Sequence, residues 1–224
     1  AYKKPNKRAE SINGWNILPE YNTDYVAVYQ NPETQNIHVA VRGSKTAKDW
    51  GYHDVGVALE NRPGTQETED IQNQLVQIAE RYPENDLTVN THSLSGSFIM
   101  NAFRDATAEE TQWLDHYEEI NLFNPGSSPL IHTDDISRFV QDPRVHLFLN
   151  KTDLISATYG QMLPGDYDRV VWGQETVNPI AAHTYRQWMT TAAPRINNKY
   201  VAQFNQVHTA HVKQFERPIT AAPP

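Results

Sequence analysis

The sequence has no cysteine. That excludes disulfides, thiolate zinc sites and a cysteine nucleophile, and leaves the compartment open. It has no apolar run approaching the roughly 18–20 residues of a membrane-spanning helix. Basic charge is also scarce: 19 Lys and Arg stand against 27 Asp and Glu, a net charge of −8. Nucleic acid needs a basic face, so it is excluded as the main partner, and electrostatic docking on anionic membranes is disfavoured. Internal repeats are absent. Hydrophobic residues make up only 38% of 224 positions, yet with 10% aromatics this suffices for one core and sets the chain apart from a disordered, solvating one. The basic segment 1–8 has no apolar stretch behind it. It is not an intact signal peptide, and localisation stays undetermined.

What is present is a regular alternation of patterns. Residues 1–20 read as a polar arm, with Trp15 and Leu18 laid on the body. Residues 24–30 and 36–42 alternate around a turn at 31–35, which predicts a hairpin. Residues 43–64 read as loop. Ile71, Leu75, Ile78 and Ala79 fall on one face of a helix over 65–82, ended by Pro83. A strand over 86–91 runs directly into a helix over 94–103. Further strands are predicted at 120–123, 145–149 and 169–172, and further helices at 134–140, 180–189 and 198–215. Residues 193–224 form a C-terminal helix and tail. The expectation is one α/β domain over 1–224, with a mostly parallel central sheet, helices on both faces and an N-terminal antiparallel hairpin.

The segment that carries chemistry is 87–96, a strand turning into a helix with Ser93 at the corner. This is the setting of a nucleophile elbow, in which a strained turn lifts the serine hydroxyl above the sheet. Residues two before and two after must be small, because strand and helix nearly collide. The helix N-terminus then offers N–H groups to a developing oxyanion. The flanks are Thr91 and Ser95 where glycines are usual. The bland alternative is a Ser/Thr cluster capping an ordinary helix. A serine nucleophile needs a base, and the base needs a carboxylate to orient it. Asp153 stands four residues beyond Leu149, past the C-terminal end of a predicted parallel strand, where such folds collect their sites. Asp142 precedes that strand. Asp134 and Asp135 read as helix caps, and Asp166 and Asp168 flank a turn. The base comes from His183, His208 or His211, and His183 follows a strand and loop. His208 and His211, three apart, read as a solvated face rather than a metal pair. His92 points the wrong way to be the base of Ser93 and reads as packed or pocket-lining. His53 sits in a loop that could border the site.

Together these residues resemble the class 3 (fungal-type) lipases, an α/β-hydrolase family. Residues 39–44, ending Arg42-Gly43-Ser44 and followed by Asp49-Trp50 and Asp54, are similar to that family's strand ending in R-G-S/T and its (D/N)-W-x-x-D. Thr91-His92-Ser93-Leu94-Ser95-Gly96 is similar to G-H-S-L-G-G. Asn124-Pro125 falls where the family has a G-x-P turn, and Asp153 and His183 follow in its order. The resemblance spans about residues 22–190. It implies a catalytic triad of Ser93, Asp153 and His183. It also implies an oxyanion hole from Ser44, through its backbone N–H and its hydroxyl, and from the backbone N–H of Leu94, with Arg42 and Asp49 fixing the loop that holds Ser44. The sequence departs from the pattern at Thr91, at Ser95 and at Asp54, one position late.

The implied activity is carboxylic ester hydrolysis, as a lipase or esterase, through an acyl-enzyme and with no metal or cofactor. The implied partners are a small-molecule or lipid ester and peripheral contact with lipid aggregates. The segment 55–65, where a lid would lie, is short and poor in bulky apolar residues, so strong interfacial activation is not expected. The rival reading is a lipase-like chain that has lost catalysis and serves as a binding or structural part of a larger assembly.

Overall fold

The computed structural model describes residues 3–43, 66–105, 112–126, 141–150 and 170–172, together with Asp153 and His183. Among these residues, eight strands make one sheet, arranged in chain order. They are β1 (Ser11–Ile12), β2 (Trp15–Ile17), β3 (Val26–Gln30), β4 (Ile37–Val41), β5 (Leu87–His92), β6 (Tyr117–Phe123), β7 (Val145–Leu149) and β8 (Val170–Trp172). β1 to β4 are mutually antiparallel, and β4 to β8 run parallel. The sheet is therefore mixed, with the expected hairpin at β3–β4 leading into a parallel body.

The segment read as a polar arm is built into the sheet. Asn16 and Ile17 pair with Gln30 and Tyr29, and β1 completes the edge. The Arg8 guanidinium donates to the Asn22 side chain and, at 2.6 Å, to the Val26 carbonyl, which ties the preceding turn down. Trp15 meets the His38 ring edge to face at 4.3 Å, and Leu18 packs against the core, as expected.

Alternation along each strand makes the two sheet faces unlike. Val28, Val39, Val89, Ile120 and Val145 stand in register across β3 to β7 and are fully buried. The opposite face carries Tyr29, His38, Thr88, Asn90, Glu119 and His146, all half-buried. Two helices pack on the apolar face. In α1 (Gln66–Arg81) the predicted stripe Ile71, Leu75, Ile78 and Ala79 is buried. Each large apolar side chain of this stripe contributes about 1.5–3 kcal/mol by leaving water. The buried Tyr117 hydroxyl donates to the Leu75 carbonyl at 2.9 Å, joining β6 to α1. In α2 (Leu94–Asp105) Phe98, Ile99 and Met100 enter the same core.

The expectation of helices on both faces is met on one face among the described residues. The strand order gives the reason. Right-handed crossovers that advance one strand at a time in one direction deliver their helices to the same side. No helix among the described residues is long and apolar enough to cross a membrane. The helices expected at 134–140 and 198–215 lie outside the described residues, as do the segment 55–65 and all of 180–189 except His183.

Candidate active site

Ser93, Asp153 and His183 gather at the C-terminal ends of the parallel strands. Ser93 follows β5, Asp153 follows β7 and His183 follows β8. Ser93 links β5 to α2 with φ 59°, a left-handed conformation for a residue with a side chain. Such a backbone costs about 1–3 kcal/mol and persists only where neighbours fix it. Three contacts do so. The Ser93 N–H donates to Phe123 at 3.1 Å, and its carbonyl accepts from Gly96 and Gly126, each at 2.9 Å. The strained corner is thus held from α2 and from the turn after β6.

The side chains of Ser93, His183 and Asp153 form one row. The Ser93 hydroxyl donates to His183 Nε2 at 2.6 Å, and His183 Nδ1–H donates to Asp153 Oδ2 at 2.8 Å. A hydroxyl donating to Nε2 and a carboxylate accepting from Nδ1 correspond to the Nδ1–H tautomer of the imidazole. The row is enclosed: relative exposure is 5% at Ser93, 1% at His183 and 0% at Asp153. In such surroundings hydrogen bonds are electrostatically stronger than in water.

The acid is positioned through a short relay. Asn124, fully buried with φ 40°, opens the turn after β6. Its N–H donates to the Phe148 carbonyl at 2.8 Å, and its side-chain oxygen accepts the Asn150 N–H at 3.1 Å. The Asn150 carbonyl then accepts the Asp153 N–H at 3.0 Å. The turn holding the serine carbonyl through Gly126 therefore also holds the segment that carries the acid.

Leu94 begins α2, where the first N–H groups have no intrahelical acceptor. Among the described residues its N–H makes no hydrogen bond. Gly43 lies against it, at a position with no room for a side chain. A Cβ there would sit 3.1 Å from Leu94 N, 2.8 Å from Ser93 Cβ and 2.4 Å from the His92 carbonyl oxygen. Arg42 fixes this end of β4 by donating to Asp24 O at 2.7 Å and Gly43 O at 2.8 Å, with its guanidinium over the Tyr25 ring. Ser44, the other expected oxyanion donor, lies outside the described residues, as do Asp49, Asp54, His53, Asp134, Asp135, Asp166, Asp168, His208 and His211.

Asp142, set aside as lying at the wrong end of β7, pairs with Arg144 at 2.6 Å just before that strand. His92 is buried and does not reach toward the Ser93 hydroxyl. Its Nε2–H donates to the His183 carbonyl at 2.8 Å, and the two rings stand 5.3 Å apart. Burial lowers its pKa from 6.5 to about 4, with His183 adding to the effect. The tie from His92 and the relay through Asn124 were not legible in the sequence. Residues 92 and 183 are 91 positions apart, and nothing in local pattern announces a side chain bonded to a distant carbonyl.

No family model matches the chain, and no curated protein does. Among solved structures, the Lip2 lipase from Yarrowia lipolytica is similar over 64% of this chain and 62% of its own, at 11% identity and a TM-score of 0.38. The matched part is thus less than two thirds of that lipase's length.

Proposed function

We propose that this protein is a serine hydrolase of carboxylic esters, a lipase or esterase built on an α/β-hydrolase-like domain. The observation that carries the reading is the unbroken row from the Ser93 hydroxyl through His183 to Asp153, at 2.6 and 2.8 Å, with the serine on a left-handed corner at a helix start. Hydroxyl, imidazole and carboxylate in that order form an activated nucleophile.

His183 Nε2 takes the Ser93 proton as Oγ bonds to the ester carbonyl carbon, and the carbonyl oxygen becomes an oxyanion. The Leu94 N–H donates to it, and Ser44, next in the chain after Gly43, supplies the second N–H. Each such donor is worth roughly a hundredfold to a thousandfold in turnover. Asp153 keeps Nδ1 protonated and stabilises the imidazolium. The oxyanion then collapses, the bond to the alcohol oxygen breaks, and His183 Nε2–H protonates the departing alcohol. Water attacks the acyl-enzyme while giving a proton to Nε2. Collapse releases the carboxylic acid and returns the proton to Ser93. Every proton is carried by His183, so no step calls for a metal or cofactor.

The substrate class is an acyl ester, a small molecule or a lipid met at the surface of an aggregate. The test is labelling by a fluorophosphonate probe together with hydrolysis of aryl esters of graded acyl length. The wild type is expected to label and turn over, and Ser93→Ala to do neither. A wild type inert to probe and esters alike overturns the reading and favours the non-catalytic alternative.

A further inference from the structure

We infer that His92 is a positioning residue for the catalytic histidine, acting on its backbone while Ser93 and Asp153 act on its ring; this rests on the hydrolase reading above. Three of the ties that hold His183 bear on turnover. Nε2 meets Ser93, Nδ1 meets Asp153, and the main-chain carbonyl accepts the His92 Nε2–H at 2.8 Å. These ties behave differently during turnover. The bond to Ser93 is consumed in every cycle, because the serine oxygen moves to the acyl carbon and its proton moves to Nε2. The ring must then stay in place for the alcohol to take that proton and for water to deliver the next one. Through the acyl-enzyme stage the carboxylate and the His92 tie still hold it.

His92 suits this work because it sits on the strand that carries the nucleophile. It is the last residue of β5, immediately before Ser93, and its own N–H donates to Ser95 Oγ at 3.0 Å. Displacing the base relative to the nucleophile therefore requires breaking a bond rooted one residue from the nucleophile itself. His92 must also remain a neutral donor while a positive charge forms on His183, 5.3 Å away. Burial and the neighbouring imidazole both oppose its protonation, while Asp153 acts in the other direction. A misplacement of about 1 Å in such a row costs on the order of a hundredfold in rate.

The experiment compares His92→Gln, whose amide nitrogen reaches the same point as Nε2, with His92→Leu and with the shorter His92→Asn. Glutamine is expected to keep kcat within about threefold. Leucine and asparagine are expected to lower kcat by about tenfold to a hundredfold, with KM within about threefold. Pre-steady-state acylation and deacylation of an aryl ester should both slow, since the ring is used in both. If His92→Leu does not fold, His92→Asn carries the comparison, and urea melts of each variant separate loss of fold from loss of rate. Wild-type kcat in a folded asparagine or leucine variant overturns the inference, as does a glutamine variant as slow as they are. Ser93→Ala run beside them keeps the two readings apart: full activity there sinks the hydrolase itself, whereas an inactive Ser93→Ala with an unaffected His92→Asn sinks only the positioning role.

Discussion

Gly43→Ala is the sharpest perturbation the site offers, because one methyl group is added where three backbone-rooted atoms already stand. The new Cβ would lie 2.4 Å from the His92 carbonyl oxygen and 2.8 Å from Ser93 Cβ. Ordinary contact begins near 3.4 Å, so β4 and the elbow must part by about 1 Å (3.4 − 2.4). No rotamer can absorb that shift. The obstructing oxygen is main chain, and Arg42 binds the end of β4 at both Asp24 and Gly43. Overpacking of this kind costs about 1–3 kcal/mol. The rate should suffer more than the fold. The added carbon would stand 3.1 Å from Leu94 N, the donor proposed for the oxyanion. Losing one oxyanion donor is worth roughly a hundredfold to a thousandfold in kcat. The assay pairs urea denaturation with kcat on an aryl ester and the rate of fluorophosphonate labelling. A stability loss of about 1–3 kcal/mol with at least a hundredfold fall in both rates is expected. An alanine variant that matches the wild type in turnover would refute the assignment of Leu94 N–H to the oxyanion.

Three other outcomes follow from particular contacts. The His92 imidazole refuses a proton in the folded protein down to about pH 4 but accepts one near pH 6.5 when unfolded. The unfolded chain binds more protons between those values, so stability falls as pH drops through that window. At about 1.4 kcal/mol per pH unit the loss is about 3 kcal/mol. Urea melts at pH 7 and pH 4 should show it in the wild type and not in His92→Gln, and parallel behaviour would count against it. Asn124→Gly keeps the left-handed backbone but removes the acceptor for Asn150 N–H. A cost of about 1–3 kcal/mol and a lower kcat are expected. The kcat effect should vanish when Asp153 is already Asn, which a double-mutant cycle measures. Tyr117→Phe removes the bond to Leu75 O, far from the elbow in sequence and at the other end of its strand. It should cost about 1 kcal/mol in a urea melt and leave ester turnover unchanged.

The parts of the fold that were legible in sequence are those with a long, one-sided pattern. The hairpin, α1, β5 with its elbow, and β7 fall where alternation or a helical stripe put them. β6 was anticipated from residue 120 but begins at Tyr117. Glu118 and Glu119 obscure its start: one is exposed, the other faces the polar side, and a register shift opposite Leu87 and Thr88 absorbs the extra residue. β1 and β2 have two and three residues, too few for a period to show; β2 is held by pairing with β3, and β1 by pairing with β2. Among candidate residues, Ser93, Asp153 and His183 could be selected because chain order and strand ends restrict where a serine, an acid and a base can meet. His92 and Asn124 could not, since their work is done by a ring nitrogen and an amide oxygen on distant main-chain atoms.

The elbow also accounts for how a strand and a helix can meet so closely without glycine at either usual flank. Thr91 lies in register with Leu122 and is buried on the core side of β5, where a β-branched side chain is at home. On the helix side a close approach is made at Gly96. A Cβ at Gly96 would be 2.7 Å from Pro125 Cβ but 3.4 Å from Thr91 Oγ1, an ordinary contact. The crowding that excludes a side chain at Gly96 thus comes from the turn after β6 rather than from β5. Ser95 turns its flank into a brace. Its hydroxyl accepts the His92 N–H at 3.0 Å and lies within donating distance of the Val41 and His92 carbonyls. Through that oxygen the end of β4, which carries Gly43, is fastened to the residue that precedes the serine. A glycine at position 95 would leave the His92 N–H without that acceptor, so the departure from the usual pattern stiffens the corner on which the hydroxyl is presented.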